Sequence, residues 1–278
     1  MGLGGQAVVP FAMGVAFFET AKRCLALRDP AEKCDAVLAF AGAAERGELE
    51  WDDDCPVAPI GTPGRPDRPE LIDPARVPRR RLGSAEGRAA LVHAIAHIEF
   101  NAINLALDAA YRFRGMPRAY HTDWLSVAAD EARHFRLLEA RLEAMGHAYG
   151  DFPAHNGLWQ MAEKTADRCL VRMALVPRVL EARGLDVTPG MIERLAAAGD
   201  HETVAALEVI LAEEVRHVAI GSHWFRHTCN EAGLEPMETF LDLLRRYYRS
   251  LPSGPFNVDA RRRAGFSDEE MAALTAGL

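Results

Sequence analysis

Two short runs in this chain carry residues that could do chemistry: Glu131-Ala132-Arg133-His134 and Glu214-Val215-Arg216-His217. Both read Glu-x-Arg-His. Each follows a helical stretch with a further glutamate, Glu99 before the first and Glu181 before the second. The step from Glu99 to Glu131 is 32 residues, and that from Glu181 to Glu214 is 33. Two similar helix pairs, each giving Glu and then Glu-x-x-His, supply four carboxylates and two imidazoles. That is the usual ligand set of a two-metal site inside a four-helix bundle. The expected metal ligands are therefore Glu99, Glu131, His134, Glu181, Glu214 and His217.

The motif alone is a weak signal. With 23 Glu and 10 His in 278 residues, chance gives about 0.8 Glu-x-x-His matches, and many such pairs are solvated on helix surfaces. The repeated arginine, the matched spacing and the helical phase separate this pair from that background. Positions i, i+4, i+7 and i+11 share a helix face. Trp124, Ala128, Glu131, Phe135 and Leu138 form one such series; Leu207, Leu211, Glu214, Val218, Gly221 and Phe225 form another. Glu99 lies among Leu91, Ile95, Ile98 and Ala102, and Glu181 continues Leu170, Ala174 and Pro177. A carboxylate on an apolar face is costly to bury unless paired, protonated or metal-bound. One metal cluster accounts for all four.

A second acid precedes each motif glutamate. Asp130 lines up with Asp123, Ser126 and Arg133 on a polar face, and Glu213 lines up with Arg216. Glu131 and Glu214 are therefore the preferred ligands, and Glu213 reads as solvated or as a partner to a ligand. The second ring nitrogens of His134 and His217 need partners. Acids on neighbouring helices are the candidates, and the sequence does not choose among them. Carboxylate and imidazole donors without thiolate suit iron or manganese and argue against an iron–sulfur cluster or a structural zinc site. The expected cofactor is two iron ions, or a mixed iron/manganese pair. The expected chemistry is activation of dioxygen or peroxide on a small-molecule substrate, with an external electron donor.

The elements that must position these residues read as helices. Residues 1–54 form an N-terminal helical extension, with helices over 15–27 and from the Asp29-Pro30 pair to about 46. Residues 55–83 carry seven prolines and form an extended connection. Residues 84–250 form the bundle, with long helices near 85–114, 119–146, 158–184 and 200–231. A short helix near 190–198 opens at Thr188-Pro189, and another covers 236–250. Residues 251–278 form a tail and a short helix opened by the Ser267–Glu270 capping box. No convincing strand alternation is present, so the class is all-α.

Composition narrows the function classes. A net charge of −8 and a pI of about 5.7 argue against bulk attraction to nucleic acid or anionic membrane. The five cysteines make no CxxC pair and read as scattered reduced thiols of a cytoplasmic protein. The apolar start lacks a basic n-region, so no signal peptide is expected. No run of about 18 apolar residues stands out as a membrane span. The glycines Gly2–Gly5 have no strand-to-helix context and make no dinucleotide site.

His97-Ile98-Glu99, Asp130 to Phe135, Tyr149-Gly150-Asp151 with Pro153-Ala154-His155, Met173 to Arg178, Glu181 to Asp186 and Glu214 to Gly221 together resemble the DUF455 family of ferritin-like proteins. The resemblance covers about residues 65–245. That family is similar to di-iron tRNA hydroxylases acting on modified adenosine, and more distantly to rubrerythrins and ferritins. The resemblance implies a ferritin-like four-helix bundle with a non-haem di-iron centre and favours Glu181 over acids such as Glu163. It supplies no substrate. A modified nucleoside of tRNA is one candidate it implies, which the negative net charge weakens.

The leading functional expectation is an oxygen-activating hydroxylase or monooxygenase of unknown substrate. Peroxide scavenging or iron handling is the alternative, although the cysteine spacing cannot build a rubredoxin-type electron supply. A non-enzymatic metal-stabilised bundle is a third reading. A homo-oligomer fits any of them. His93, His97, Asn101, Asn104 and Asp108 line one side of the first long helix, either as a polar seam or as a solvated face. His155, in the 146–158 connection, reads as an ordinary loop residue, with a cover over the site entrance as the alternative. Pro177 is expected to kink its helix. Arg79–Arg81 and Arg261–Arg263 read as solvated surface arginines. Trp159, Trp224, Tyr247 and Tyr248 read as packing residues.

Overall fold

The computed structural model describes residues 14–78, 81–248 and 253–277. Gly2–Gly5, Arg79 and Arg80, singled out above, lie outside them. The described residues are predominantly helical, in keeping with the all-α class.

The N-terminal part holds β1 (Val15–Ala16), α1 (Phe17–Ala26), α2 (Pro30–Glu45) and β2 (Leu49–Glu50). β1 and β2 pair in parallel, Val15 opposite Leu49. Two residues per strand are too few to show alternation in the sequence. Asp29 caps α2 by accepting from the Glu32 N–H, with Pro30 at the first helical position. α1 packs on α3 (Ala85–Arg112) and α2 on α4 (Arg118–Ala144). The buried Lys33 ties this layer down: its Nζ donates to Asn104 Oδ1 at 2.6 Å and to the Leu25 carbonyl at 3.1 Å.

The proline-rich connection runs over the outside of α3 as extended chain, with one 3₁₀ turn at Pro74–Arg76. Its backbone groups are met by side chains: Ala58 N–H donates to Tyr111 Oη at 2.8 Å, and Trp159 Nε1 donates to the Gly61 carbonyl at 2.8 Å. Length and composition alone would let α3 cross a membrane, but 78% of its apolar window is buried within the protein.

The third expected helix differs from its sequence reading. It is built from α5 (Gly157–Lys164), α6 (Cys169–Leu175), a π-helical segment at Val176–Glu181 and α7 (Ala182–Ala197). The break falls after Lys164, because side chains there take over the work of the next turn. Thr165 Oγ1 donates to the Met161 carbonyl at 2.7 Å, and Arg172 Nη2 donates to the Ala162 carbonyl at 2.6 Å. No separate helix opens at Thr188-Pro189; α7 runs through it, with Pro189 inside. Proline has no N–H for the Leu185 carbonyl, and Asn257 Nδ2 meets that carbonyl at 3.2 Å instead. Pro177 acts as a widened π turn rather than a simple kink. Its ring sits where a β-carbon on residue 221 would be, so Gly221 lets α8 (His201–Glu231) pass close by.

α8 packs against α4, α6, the π segment and α7, which brings both Glu-x-Arg-His runs to one interface. α9 (Pro236–Tyr247) covers α6 and α8, while α10 (Val258–Arg263) and α11 (Asp268–Ala276) close the outer side. The Ser267–Glu270 capping box forms as its sequence indicates. Arg261 is not a solvated surface residue. It is 2% exposed and pairs with Asp186 at 2.7 Å, whereas Arg262 and Arg263 are exposed.

Candidate metal centre

α4 presents Glu131 and His134 to α8, which presents Glu214 and His217 in return. α3 adds Glu99, and the π segment ends on Glu181. One potential ligand atom from each of Glu99, Glu131, His134 and Glu214 lies within 4.8 Å of the others. His134 Nδ1 stands 3.2 Å from Glu99 Oε2 and 3.4 Å from Glu131 Oε2. His217 Nδ1 stands 3.1 Å from Glu131 Oε1 and 3.3 Å from Glu214 Oε1. Glu131 thus lies between the two imidazoles. Glu181 has a buried Oε2 with no hydrogen-bond partner, and its electrostatic neighbours are Glu214, Glu131 and His217.

His134 Nδ1 is hydrogen-bonded to Glu99 and His217 Nδ1 to Glu214, which leaves Glu131 between them without a partner. Neither Glu131 oxygen has a hydrogen bond, although imidazole nitrogens stand within 3.4 Å of both. The distances are those of contact, but the alignment is not that of N–H donation. Buried acceptors without donors are costly, and donor atoms aimed at a shared space are arranged as ligands are around a cation. The residues therefore fit a metal site.

The outer nitrogens of both histidines are held by acids from the opposite helix. His134 Nε2 lies 2.9 Å from Glu213 Oε2 on α8, and His217 Nε2 lies 3.0 Å from Asp130 Oδ2 on α4. Such an acid holds a proton on Nε2 and leaves Nδ1 turned toward the carboxylates as the nitrogen that a cation would take. The repeated arginine forms the next layer. Arg133 binds Asp130 and also Glu213, the latter at 3.0 Å; Arg216 binds Asp130, and its Nη1 reaches Ser126 Oγ at 3.0 Å. The acid–imidazole pairing is thus crossed between α4 and α8, while both arginines converge on Asp130 and only Arg133 also reaches Glu213 among the described contacts.

Packing this many carboxylates into one space shifts their titration. Burial, then repulsion from neighbouring carboxylates, pushes Glu99, Glu181 and Glu214 upward. Burial would raise Glu131 too, but the two imidazoles hold it below the usual carboxylate range. Burial would lower His134, but Glu131 and Glu99 outweigh it and carry its pKa up to about 11. Glu214 and Glu131 likewise overcome burial and raise His217. In the metal-free protein, protons balance charge that bound cations would otherwise balance.

The polar seam on α3 is buried and turned to other partners. His93 Nε2 accepts from the Gly150 N–H at 2.9 Å, which needs the left-handed backbone (φ +108°) that glycine permits. His97 meets Tyr149 Oη at 2.8 Å and the His155 carbonyl at 3.1 Å. Asn104 takes Lys33, and Asp108 pairs with Arg172 at 2.7 Å. His155 is an ordinary loop residue whose Nδ1 accepts from the Gly157 N–H. Trp224 Nε1 donates to Asp123 Oδ2 at 2.9 Å within the packed interior. Reading the sequence offered Glu213 as a partner to a ligand and acids of neighbouring helices as the histidines' partners, but it missed Asp130 in that role and the crossed pairing itself. Its signal is the acid immediately before each motif glutamate.

Fold and site together define a helical protein with a buried carboxylate–imidazole cluster that could hold a metal ion. More particularly, the chain belongs to the DUF455 family, described as a protein of unknown function, which matches residues 26–272 and so all six cluster residues. It is similar to an uncharacterized protein of Haemophilus influenzae, 48% identical over 213 residues that cover 74% of each chain. No solved structure matches it.

Proposed function

We propose that this protein is a ferritin-like, non-haem di-iron (or iron/manganese) oxidoreductase that hydroxylates a small organic substrate with dioxygen, drawing electrons from an external donor. The observation that carries the proposal is the paired motif geometry. Two Glu-x-x-His units face each other with Nδ1 inward and Nε2 held by an acid of the opposite helix. Glu99, Glu131, Glu181 and Glu214 would hold the ions with His134 and His217. Four ionised carboxylates carry the charge that two divalent cations cancel, and oxygen and nitrogen donors suit iron or manganese.

Bound there, the ions would supply dioxygen activation. The side chains set the conditions. Glu131, whose two oxygens stand 3.4 and 3.1 Å from the two imidazoles, would be held in common by both halves of the site. Asp130 and Glu213 fix the imidazole tautomers and their orientation. The four carboxylates and two imidazoles would hold the ions, which would supply binding and activation of a reactant. The test is dioxygen uptake by anaerobically iron-loaded protein. Uptake faster than that of free iron(II), and lost in Glu131→Ala/Glu214→Ala, is expected. Two bound ions with no dioxygen reactivity would reduce the site to a structural one.

A further inference from the structure

Residues 178–186, a nine-residue stretch around Glu181, carry several contacts with the chain's C-terminal end. Arg178 is 1% exposed, and its guanidinium lies 4.3, 4.5 and 4.8 Å from the ring centres of Phe240, Phe266 and Phe225. Its Nη2 donates to Glu270 Oε1 on α11 at 2.6 Å. Beyond Glu181, Asp186 pairs with Arg261 of α10 at 2.7 Å and accepts from the Asn257 N–H at 3.0 Å. Asn257 Nδ2 takes the Leu185 carbonyl at 3.2 Å, and Arg183 Nη1 takes the Ser253 carbonyl at 3.1 Å. These contacts stand on both sides of Glu181.

Glu181 differs from the histidines in how it is held, and unlike Glu131 it has no imidazole nitrogen within 4 Å among the described contacts. His134 and His217 have acids on their outer nitrogens, but Glu181 Oε2 has no hydrogen bond. Its position is set by its backbone, which ends a π-helical segment. A π turn holds one more residue than an α turn. Relaxing it to regular α-helix shifts the register by one residue and turns the face by about 100°, which would carry Glu181 off the cluster. The contacts that resist this are Pro177 seated over Gly221 and the Arg178–Glu270 pair before Glu181, and the Asp186–Arg261 pair after it.

We propose that α10 and α11 form a clasp that positions Glu181 in the metal site through the Arg178–Glu270 and Arg261–Asp186 pairs. The proposal rests on the dinuclear reading above. Arg178 and Glu270 are positioning residues, since neither touches the cluster.

The test is cobalt(II) titration of the metal-free full-length protein, followed by calorimetry and by the visible spectrum. Arg178→Met/Glu270→Met removes the pair without leaving a lone buried charge. Asp108→Asn/Arg172→Met is the control, because that pair is equally buried but lies outside residues 178–186. Wild type and control are expected to bind two ions. The Arg178/Glu270 variant is expected to bind one as before and the second at least tenfold more weakly, with unchanged far-UV circular dichroism. Should it fail to fold, Arg178→Lys, which keeps the charge and shortens the reach, is expected to weaken the second ion alone. Two ions bound with unchanged affinity in the clasp variants would overturn the clasp and leave the dinuclear reading standing. Equal loss in the control would overturn it as well, as a general packing effect. Fewer than two ions in wild type would overturn the dinuclear reading, and the clasp with it.

Discussion

Glu131 stands between two imidazoles, and this is why it is held ionised while burial and mutual repulsion push Glu99, Glu181 and Glu214 upward. Its place on the apolar face was legible from helical phase. The crossed partnership of Asp130 with His217 and Glu213 with His134 was not, because it depends on how α4 and α8 face each other. That partnership predicts that Asp130→Asn and Glu213→Gln each lower metal affinity about 10–100-fold, as read by competition with a chelating dye. Unchanged affinity in both would show the acids to be surface ion pairs only. Titration gives a second expectation. The His134 pKa is raised to about 11 in the metal-free fold, so its stabilising contribution is full below about 6.5 and is lost as pH rises toward 11. A cation needs the same Nδ1 without its proton. Metal binding should therefore release protons and tighten as pH rises through the neutral range, which calorimetry in buffers of different ionisation enthalpy measures. Binding without proton release would contradict the assigned charge state of the cluster.

At the scale of elements, caps and periodicity carried most of the reading. Asp29-Pro30 and Ser267–Glu270 mark helix starts that the structure contains. The third long element was misread because its breaks are tertiary. Thr165 and Arg172 end α5 by satisfying carbonyls across the gap, and Asn257 from the far end of the chain lets α7 continue through Pro189. Arg261 was misread for the same reason, since its partner Asp186 lies 75 residues away. The close approach of Pro177 to Gly221 is likewise invisible to local pattern. Because a methyl group at 221 would overlap the proline ring, Gly221→Ala should cost about 1–3 kcal/mol of stability and lower metal content by displacing the π segment. Denaturant unfolding and metal analysis check this. A fully stable variant with full metal content would show that the π segment tolerates displacement.

At the scale of the whole molecule, the central helices bring the cluster together and the two chain ends brace it. α1 and α2 lie on α3 and α4, pinned by Lys33, while α10 and α11 hold the far side of the π segment. The helical class was legible from the sequence because it rests on local propensity and pattern. The roles of the ends were not, because short helices reveal their partners only when packed. The most direct measurement is the metal content of the aerobically purified full-length protein beside Glu131→Ala/Glu214→Ala. About two iron ions per chain (or iron with manganese) in the wild type, lost in a variant that still folds, is the predicted result. No bound metal in the wild type, even after anaerobic loading with iron(II), would contradict it and leave the paired motif as a buried ion-pair network.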